Sequence, residues 1–164
     1  MVIQIDSREK ARAIKKILEE FDRQGVDYFV SKLPTADYMN LDNPRLLIDR
    51  KQSLLELCQN VCQDHKRFAA ELERAKKYGQ HIVVLVEHGG GIKSLQDVMH
   101  WKNPRLKQSP MAVSGERLFK ILSAMQNNHD KYDVEFLFCD KRNTGKRIIE
   151  ILSGGANVSQ KENN

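Results

Sequence analysis

Apolar and polar positions at the start of the chain alternate first with the period of a strand and then with that of a helix. Residues 2–6, VIQID, alternate as a half-buried strand does. Residues 7–25 then repeat apolar side chains at helical spacing until Gly25 closes the segment. The apolar face of this predicted helix consists of Ala13, Ile17, Leu18 and Phe21.

A hairpin is predicted next. Residues 26–33 and 36–41 have the composition of strands, the sequence DNP is typical of a turn, and residues 45–51 return as a strand. A turn centred on Asn43 predicts three facing pairs: Asp37 with Asp49, Met39 with Leu47, and Leu41 with Arg45.

Helices and strands alternate through the rest of the chain. Residues 53–78 are predicted to be helical with a break near Asp64, and residues 81–87, HIVVLVE, form the continuous apolar run of a buried strand. Residues 88–110 carry GGG, NP and SP, which predict an extended, partly mobile connection. The last predicted elements are a helix capped by Ser114, a strand at residues 132–139, a helix that ends at Gly154 and a disordered polar tail, residues 154–164.

The order of these elements predicts an α/β domain whose mixed central sheet is covered by helices on both faces. A chain of 164 residues suffices for one such domain, and no internal repeat is present. No apolar run approaches the roughly 20 residues that cross a bilayer. The N-terminus lacks the pattern of a secretory signal, so we expect an intracellular protein without a membrane segment.

Composition adds a weak indication of a polyanionic partner. The net charge is +5, and basic residues cluster in stretches such as KARAIKK, WKNPRLK and DKRNTGKR. A single cluster of this kind is more typical of a solvated face. The three cysteines are interpreted as free thiols, and the five histidines have no spacing suited to zinc. The sequence EHGGGIKS lacks the ending of a phosphate-binding loop.

The hairpin carries the candidate chemistry. If Asp37 faces Asp49, their Cβ atoms lie about 5 Å apart, a separation that a shared divalent cation can bridge. The strand period places Lys51 on the same face as Asp49 and turns Ile48 and Arg50 to the other face. Two carboxylates and an ammonium suit metal-assisted hydrolysis of a phosphodiester. The alternative is a wet surface strand with ordinary ion pairs.

Around this pattern, IDSRE closing the first strand, the following amphipathic helix, ADYM and LLIDRK occur in an order that resembles the nuclease domain of the XPF family, which includes archaeal Hef. The resemblance covers residues 2–152 and implies an XPF-type nuclease domain, residues 1–153, with a restriction-endonuclease-like fold. It further implies an endonuclease that uses Mg²⁺ or Mn²⁺ and leaves 5′-phosphate and 3′-hydroxyl ends. Selectivity for branched or flapped DNA in repair, recombination or replication, and pairing as a homodimer, are also implied.

The resemblance assigns residues to this activity. Asp37 and Asp49 correspond to metal ligands, Lys51 to the catalytic lysine, and Arg50 to an arginine whose main-chain carbonyl contributes to the metal. The first acidic and basic motif corresponds to Asp6, Arg8 and Glu9.

Several of these residues have alternative interpretations. Asp6 and Glu9 also fit a capping box at a helix start. Arg67 is either a phosphate contact or part of an exposed helix. Trp101, beside Lys102 in HWKNPRLK, either contacts DNA by stacking or anchors its loop.

The chain departs from the family pattern at three positions. Ala36 replaces a glycine, Asp49 replaces a glutamate, and Leu55 stands where an aspartate is expected, with Glu56 beside it. We therefore expect a metal-dependent DNA endonuclease, with a catalytically silent DNA-binding or dimerisation module as the alternative. A scaffold that binds only protein is disfavoured by the basic surplus.

Overall fold

The structure, a computed structural model, describes residues 1–154. Six strands form one sheet: β1 (Val2–Ile5), β2 (Asp27–Val30), β3 (Tyr38–Asn40), β4 (Asn43–Lys51), β5 (His81–Glu87) and β6 (Val134–Cys139). Their order across the sheet is β2-β1-β3-β4-β5-β6. The predicted polar tail lies outside the described residues except for Gly154, which ends the last helix.

Strand direction decides which residues can meet. β3 is antiparallel to both of its neighbours, β1 and β4, whereas β1 and β2, β4 and β5, and β5 and β6 pair in parallel. The C-terminal ends of β1, β4, β5 and β6 therefore share one end of the sheet with the start of β3. We call this the carboxyl end of the sheet, and the opposite one the amino end.

Helices cover both faces of the sheet, which confirms the predicted α/β architecture. They are α1 (Lys15–Arg23), α2 (Leu54–Cys62), α3 (His65–Lys77), α4 (Gly115–Asn127) and α5 (Thr144–Gly154). One core packs α2, α3 and α4 against the sheet, and the other packs α1 and α5 against its opposite face. Among residues 1–154, no helix is both long enough and apolar enough to cross a bilayer.

The first helix is shorter than predicted. It begins at Lys15, and the residues between β1 and α1 form turns. Ile17 and Phe21 face the core as expected, but Ile14 is buried and Ala13 is exposed. In the non-helical part, Arg8 donates to the Leu33 carbonyl and Glu9 pairs with Arg50, both outside the segment.

The hairpin register is partly as predicted. Met39 pairs with Leu47, but Asn40 pairs with Asn43, so the predicted pair of Leu41 with Arg45 is wrong. A β-bulge between Met39 and Asn40 absorbs the difference. The side chain of Asn40 turns the chain early, because it accepts from the Asp42 N–H at 2.9 Å and donates to the Leu152 carbonyl at 3.2 Å.

The connection after β5 packs against the core, whereas the sequence predicts an extended loop. It contains two short 3-10 helices, Gln96–His100 and Pro104–Lys107, and it buries Val98 and Trp101 in the core. A Cβ at Gly115 would collide with the backbone carbonyls of these two buried residues. Glycine at the start of α4 thus lets the segment approach closely.

Candidate active site

Acidic and basic side chains from several segments meet at the carboxyl end of the sheet. The loop after β1 supplies Asp6, Arg8 and Glu9, the residue before β3 is Asp37, and β4 ends with Asp49, Arg50 and Lys51. The single antiparallel strand is responsible, because it brings its own start beside the ends of its neighbours. The residues assigned from the sequence in the hairpin and after the first strand are therefore neighbours.

The backbone holds Asp37 between two strands. Its N–H donates to the Ile48 carbonyl at 2.9 Å, and its carbonyl accepts from the Asp6 N–H at 2.8 Å. The carboxylate atom Oδ2 accepts from the Arg50 N–H at 2.7 Å. The preceding residue, Ala36, has φ of 64°, a left-handed conformation that favours glycine. This conformation explains why a glycine suits the position.

The carboxyl groups of Asp37 and Asp49 face each other as the hairpin predicts. Burial, followed by the negative charges of Asp49 and Glu9, raises the pKa of Asp37 from 3.8 to about 9. A hydrogen bond with Asp49 also raises this pKa, whereas the Arg50 N–H lowers it. Without a bound cation, Asp37 therefore retains its proton at neutral pH.

Lys51 shares the face of β4 with Asp49. Its Nζ lies 3.2 Å from Asp49 Oδ1 and 5.5 Å from the centre of the Phe68 ring in α3. Burial opposes the charge, but Asp49 and then Asp37 and Glu56 raise the pKa of Lys51 above its ordinary value. The ammonium therefore stays protonated beside the two carboxyl groups.

Arg50 points to the opposite face of the sheet, as the strand period predicts. Its guanidinium is buried between two carboxylates: Nη2 lies 2.8 Å from Glu9 Oε2, and Nη1 lies 2.9 Å from Glu87 Oε1. Tyr38 donates its hydroxyl to the same Glu9 oxygen at 3.0 Å. Glu9 is thus held by Arg50 and Tyr38, and its negative charge also raises the pKa of Asp37.

The capping alternative for Asp6 and Glu9 is wrong, because α1 begins only at Lys15. Asp6 is buried, and its Oδ1 accepts from the Leu33 N–H at 2.9 Å. Its Oδ2 accepts from Arg8 Nε at 2.6 Å, and this hydrogen bond raises the pKa of Arg8. The Arg8 side chain remains largely exposed near Asp37. The catalytic assignment of Asp6 and Arg8 stays a prediction.

An arrangement similar to a capping box lies instead at the start of α2. Ser53 accepts from the Glu56 N–H at 3.1 Å, and Glu56 Oε2 accepts from the Gln52 N–H at 2.8 Å, so the pair caps α2. Leu55, at the position of the expected aspartate, packs against the core. Glu56 is therefore engaged with the helix start and does not replace that aspartate directly.

The three residues assigned to DNA contact have different environments. Arg67, in the first turn of α3, and Lys102 are exposed. Trp101 is only 9 % exposed and packs edge-on against His88, with ring centres 6.5 Å apart. Stacking of a base on Trp101 is therefore not possible in this conformation, and the anchoring alternative fits its burial.

Three side chains at this end were not assigned from the sequence. Glu87 and Tyr38 complete the surroundings of Arg50, and Phe68 lies under Lys51. A signal was available for Glu87, because it is the one charged residue that closes the apolar run HIVVLVE. The other two become visible only once the tertiary packing is known.

The donor atoms of this site suit a hard divalent cation. Among residues 1–154, no three His, Cys, Asp or Glu side chains come together as a metal-binding group. Two facing carboxyl groups remain, and Mg²⁺ is commonly held by one or two carboxylates with water and phosphate oxygens as further ligands. Burial and the neighbouring carboxylates raise the pKa of Asp37, so a bound cation would be needed to hold both groups ionised. The residues present therefore fit Mg²⁺ or Mn²⁺.

Comparison with known proteins identifies relatives. The family model of the ERCC4 domain matches residues 5–140, which include all the acidic and basic residues of this site. No curated protein is similar to the sequence.

Solved structures share the fold. XPF from Aeropyrum pernix superposes with a TM-score of 0.64 at 18 % identity, covering 97 % of this chain and 69 % of that one. The same protein in complex with DNA gives a TM-score of 0.60 at 20 % identity, covering 98 % of this chain and 66 % of that one. The likeness confirms the restriction-endonuclease-like fold, and this chain spans about two thirds of the length of those structures.

Proposed function

Because the chain belongs to the ERCC4 domain family, we propose that it is a divalent-metal-dependent DNA endonuclease that hydrolyses phosphodiester bonds. The observation that carries the proposal is the meeting of Asp37 and Asp49 beside the protonated Lys51. Two carboxyl groups of like charge are costly to bury together unless a cation joins them.

Asp37, Asp49 and the main-chain carbonyl of Arg50 would hold Mg²⁺ or Mn²⁺. When bound, the cation polarises the phosphoryl oxygen and acidifies a water molecule. Asp49 is shorter by one methylene than the glutamate of the family pattern. This substitution therefore bears on the preference between Mg²⁺ and Mn²⁺. The Arg50 N–H fixes the orientation of the Asp37 carboxylate.

Lys51 supplies the fixed positive charge of the site. A protonated amine cannot accept the proton of the attacking water, so its role is to orient that water and to stabilise the negative charge that develops on the phosphoryl oxygens. Burial strengthens this effect because the surrounding dielectric is low. Arg8, largely exposed near Asp37, offers a second cation to the scissile phosphate.

Exposed basic residues would bind the DNA backbone. Arg67 is exposed in the first turn of α3, the helix whose Phe68 contacts Lys51, and we propose that it binds a backbone phosphate. Lys102 extends the basic surface in the connection after β5. Contacts of this kind make affinity fall steeply with salt concentration. The XPF relative in complex with DNA supports DNA as the substrate.

The test is a cleavage assay on single-stranded, duplex, flapped, forked and four-way DNA with Mg²⁺, Mn²⁺ or EDTA. We expect metal-dependent cutting that leaves 5′-phosphate ends, with flapped or branched DNA cut fastest. Lys51→Ala should reduce the rate by about 10²–10³-fold. The matched control is Lys131→Ala, which removes a lysine near the amino end of the sheet and should cut normally.

A catalytically silent DNA-binding module is the second candidate. Leu55 and Asp49 favour it, because one removes an expected carboxylate and the other shortens one. Salt-dependent DNA binding by wild type and by Lys51→Ala, with no cutting by either, would establish this function instead. Either function accommodates a role in repair, recombination or replication, and pairing as a homodimer, which sedimentation would detect.

A further inference from the structure

We propose that Glu87 is a positioning residue of this site, acting through Arg50. The inference rests on the proposed function and concerns a residue at the end of β5 that lies outside the motifs of the hairpin and the first strand. Glu87 is buried, with 4 % of its surface exposed, at the carboxyl end of the sheet.

The contacts of Arg50 show how Glu87 acts. Glu87 Oε1 accepts from Nη1 at 2.9 Å on one side of the guanidinium. On the other side, Glu9 Oε2 accepts from Nε at 3.0 Å and lies 2.8 Å from Nη2. A planar guanidinium gripped from two directions has a fixed orientation. Without Glu87, only one carboxylate would define it.

The orientation of Arg50 reaches the site through the backbone. The Arg50 N–H donates to Asp37 Oδ2 at 2.7 Å, and Arg50 lies between Asp49 and Lys51 in β4. Their side chains point to one face of the sheet while Arg50 anchors the strand on the other. A displacement of this strand end would therefore move both groups and the hydrogen bond to Asp37.

Stability alone does not account for Glu87. Its Oε2 has no hydrogen-bond partner among residues 1–154, and two carboxylates share one guanidinium. A buried, partly satisfied carboxylate is costly, and the carboxylate of Glu9 already neutralises the guanidinium. A positioning role explains why a carboxylate stands here.

The experiment compares Glu87→Gln with wild type and with Val83→Ala. Val83 is a buried residue on the same face of β5, so its truncation lowers stability without removing a contact of Arg50. The first readout needs no catalysis: thermal unfolding is followed as Mg²⁺ is titrated without DNA. The second is cleavage as a function of Mg²⁺ and of DNA concentration.

Glu87→Gln should raise the half-saturating Mg²⁺ concentration about tenfold in both readouts, as loss of a group that supports metal ligands commonly does. KM for DNA should not change, and Val83→Ala should lower Tm without altering the Mg²⁺ requirement. If Glu87→Gln fails to fold, Glu87→Asp, which keeps the charge and shortens the side chain, should show the same shift with a smaller amplitude.

The outcomes distinguish a failure of the proposed function from a failure of the role of Glu87. A wild-type protein that neither cuts nor responds to Mg²⁺ overturns the proposed function. A responding wild type with an unchanged Mg²⁺ requirement in Glu87→Gln, or an equal shift in Val83→Ala, overturns the role of Glu87 and leaves the proposed function standing.

Discussion

The two ends of β5 hold the same arrangement of charges in different surroundings. At the amino end, His81 lies between Asp133, 2.7 Å away, and Glu135, 3.5 Å away. At the carboxyl end, Arg50 lies between Glu9 and Glu87 at 2.8 and 2.9 Å. In each case one nitrogen-bearing side chain bridges two carboxylates.

Burial makes the two clusters differ. The side chains of His81 and Asp133 are 33 % and 52 % exposed, whereas those of Arg50 and Glu87 are both 3 % exposed. Exposed ion pairs gain little because water competes for each partner. Buried ones are strongly coupled, and loss of a cation that two carboxylates share leaves both of their charges uncompensated. The charges at the carboxyl end are thus strongly coupled, whereas those at the amino end remain partly exposed to water.

The largest expected effect is the loss of stability when the buried cluster at the carboxyl end loses its cation. Arg50→Met leaves Glu9 and Glu87 buried without their cation, so we expect the free energy of unfolding to fall by about 3–5 kcal/mol. Urea denaturation measures it. A loss below about 1 kcal/mol would mean that the buried cluster contributes no more to stability than an exposed ion pair does.

A triple variant provides the control. When Arg50→Met is combined with Glu9→Gln and Glu87→Gln, no charge remains unpaired in the cluster. We expect this protein to recover at least half of the stability that the single variant loses, because breaking a buried pair costs more than replacing it.

The second largest effect is the dependence of folding stability on pH in the absence of metal. The pKa of Asp37, raised to about 9, lies above the value of about 3.9 in an unfolded chain. Between these values the folded protein holds a proton that the unfolded chain has released, so stability falls as pH rises through this window. In EDTA, the free energy of unfolding should fall by up to about 1.4 kcal/mol per pH unit.

The variant Asp37→Asn has no such group, and its stability should decline less between pH 6 and pH 8. Denaturation of both proteins at these two pH values measures the difference. Equal slopes would show that Asp37 ionises normally. Mg²⁺ should stabilise wild type more at pH 8 than at pH 6, because binding displaces the retained proton.

Sequence patterns were informative where local rules decide the structure. The strand period placed Asp49 and Lys51 on one face and Arg50 on the other, and the turn position brought Asp37 opposite Asp49. The bulge at Asn40 escaped prediction because it depends on a contact with Leu152, far along the chain. Strand period therefore predicts which of these side chains share a face, and the position of the turn depends on long-range contacts.

Contacts between distant segments also explain the remaining misses. Glu9 fitted a capping box in the sequence, yet it pairs with Arg50 across the sheet. Trp101 is flanked by basic residues, but its burial follows from the close approach of α4 at Gly115. Neither contact is indicated by the residues that neighbour Glu9 or Trp101 in the sequence.

The third effect compares the backbone at the two ends of the sheet. Ala36 at the carboxyl end has φ of 64°, and Gly79 before β5 at the amino end has φ of 70°. Only the glycine adopts this conformation without strain. We expect Ala36→Gly to stabilise the protein by about 1 kcal/mol and Gly79→Ala to destabilise it by about the same amount. Opposite signs in urea denaturation confirm the strain, and a destabilising Ala36→Gly refutes it.

The smallest effect concerns the exposed cluster at the amino end. Hydrogen bonds with Glu135 and then with Asp133 raise the pKa of His81 above 6.5, against the opposing effect of burial. A raised pKa means that the protonated form stabilises the fold, so the contribution is fully present below the unfolded value of about 6.5 and is lost as pH rises through the folded value. His81→Gln should therefore cost about 0.5–1 kcal/mol at pH 5 and almost nothing at pH 9. Denaturation of wild type and His81→Gln at the two pH values measures this loss of stability. A loss that persists at pH 9 would mean that packing, and not charge, holds His81 in place.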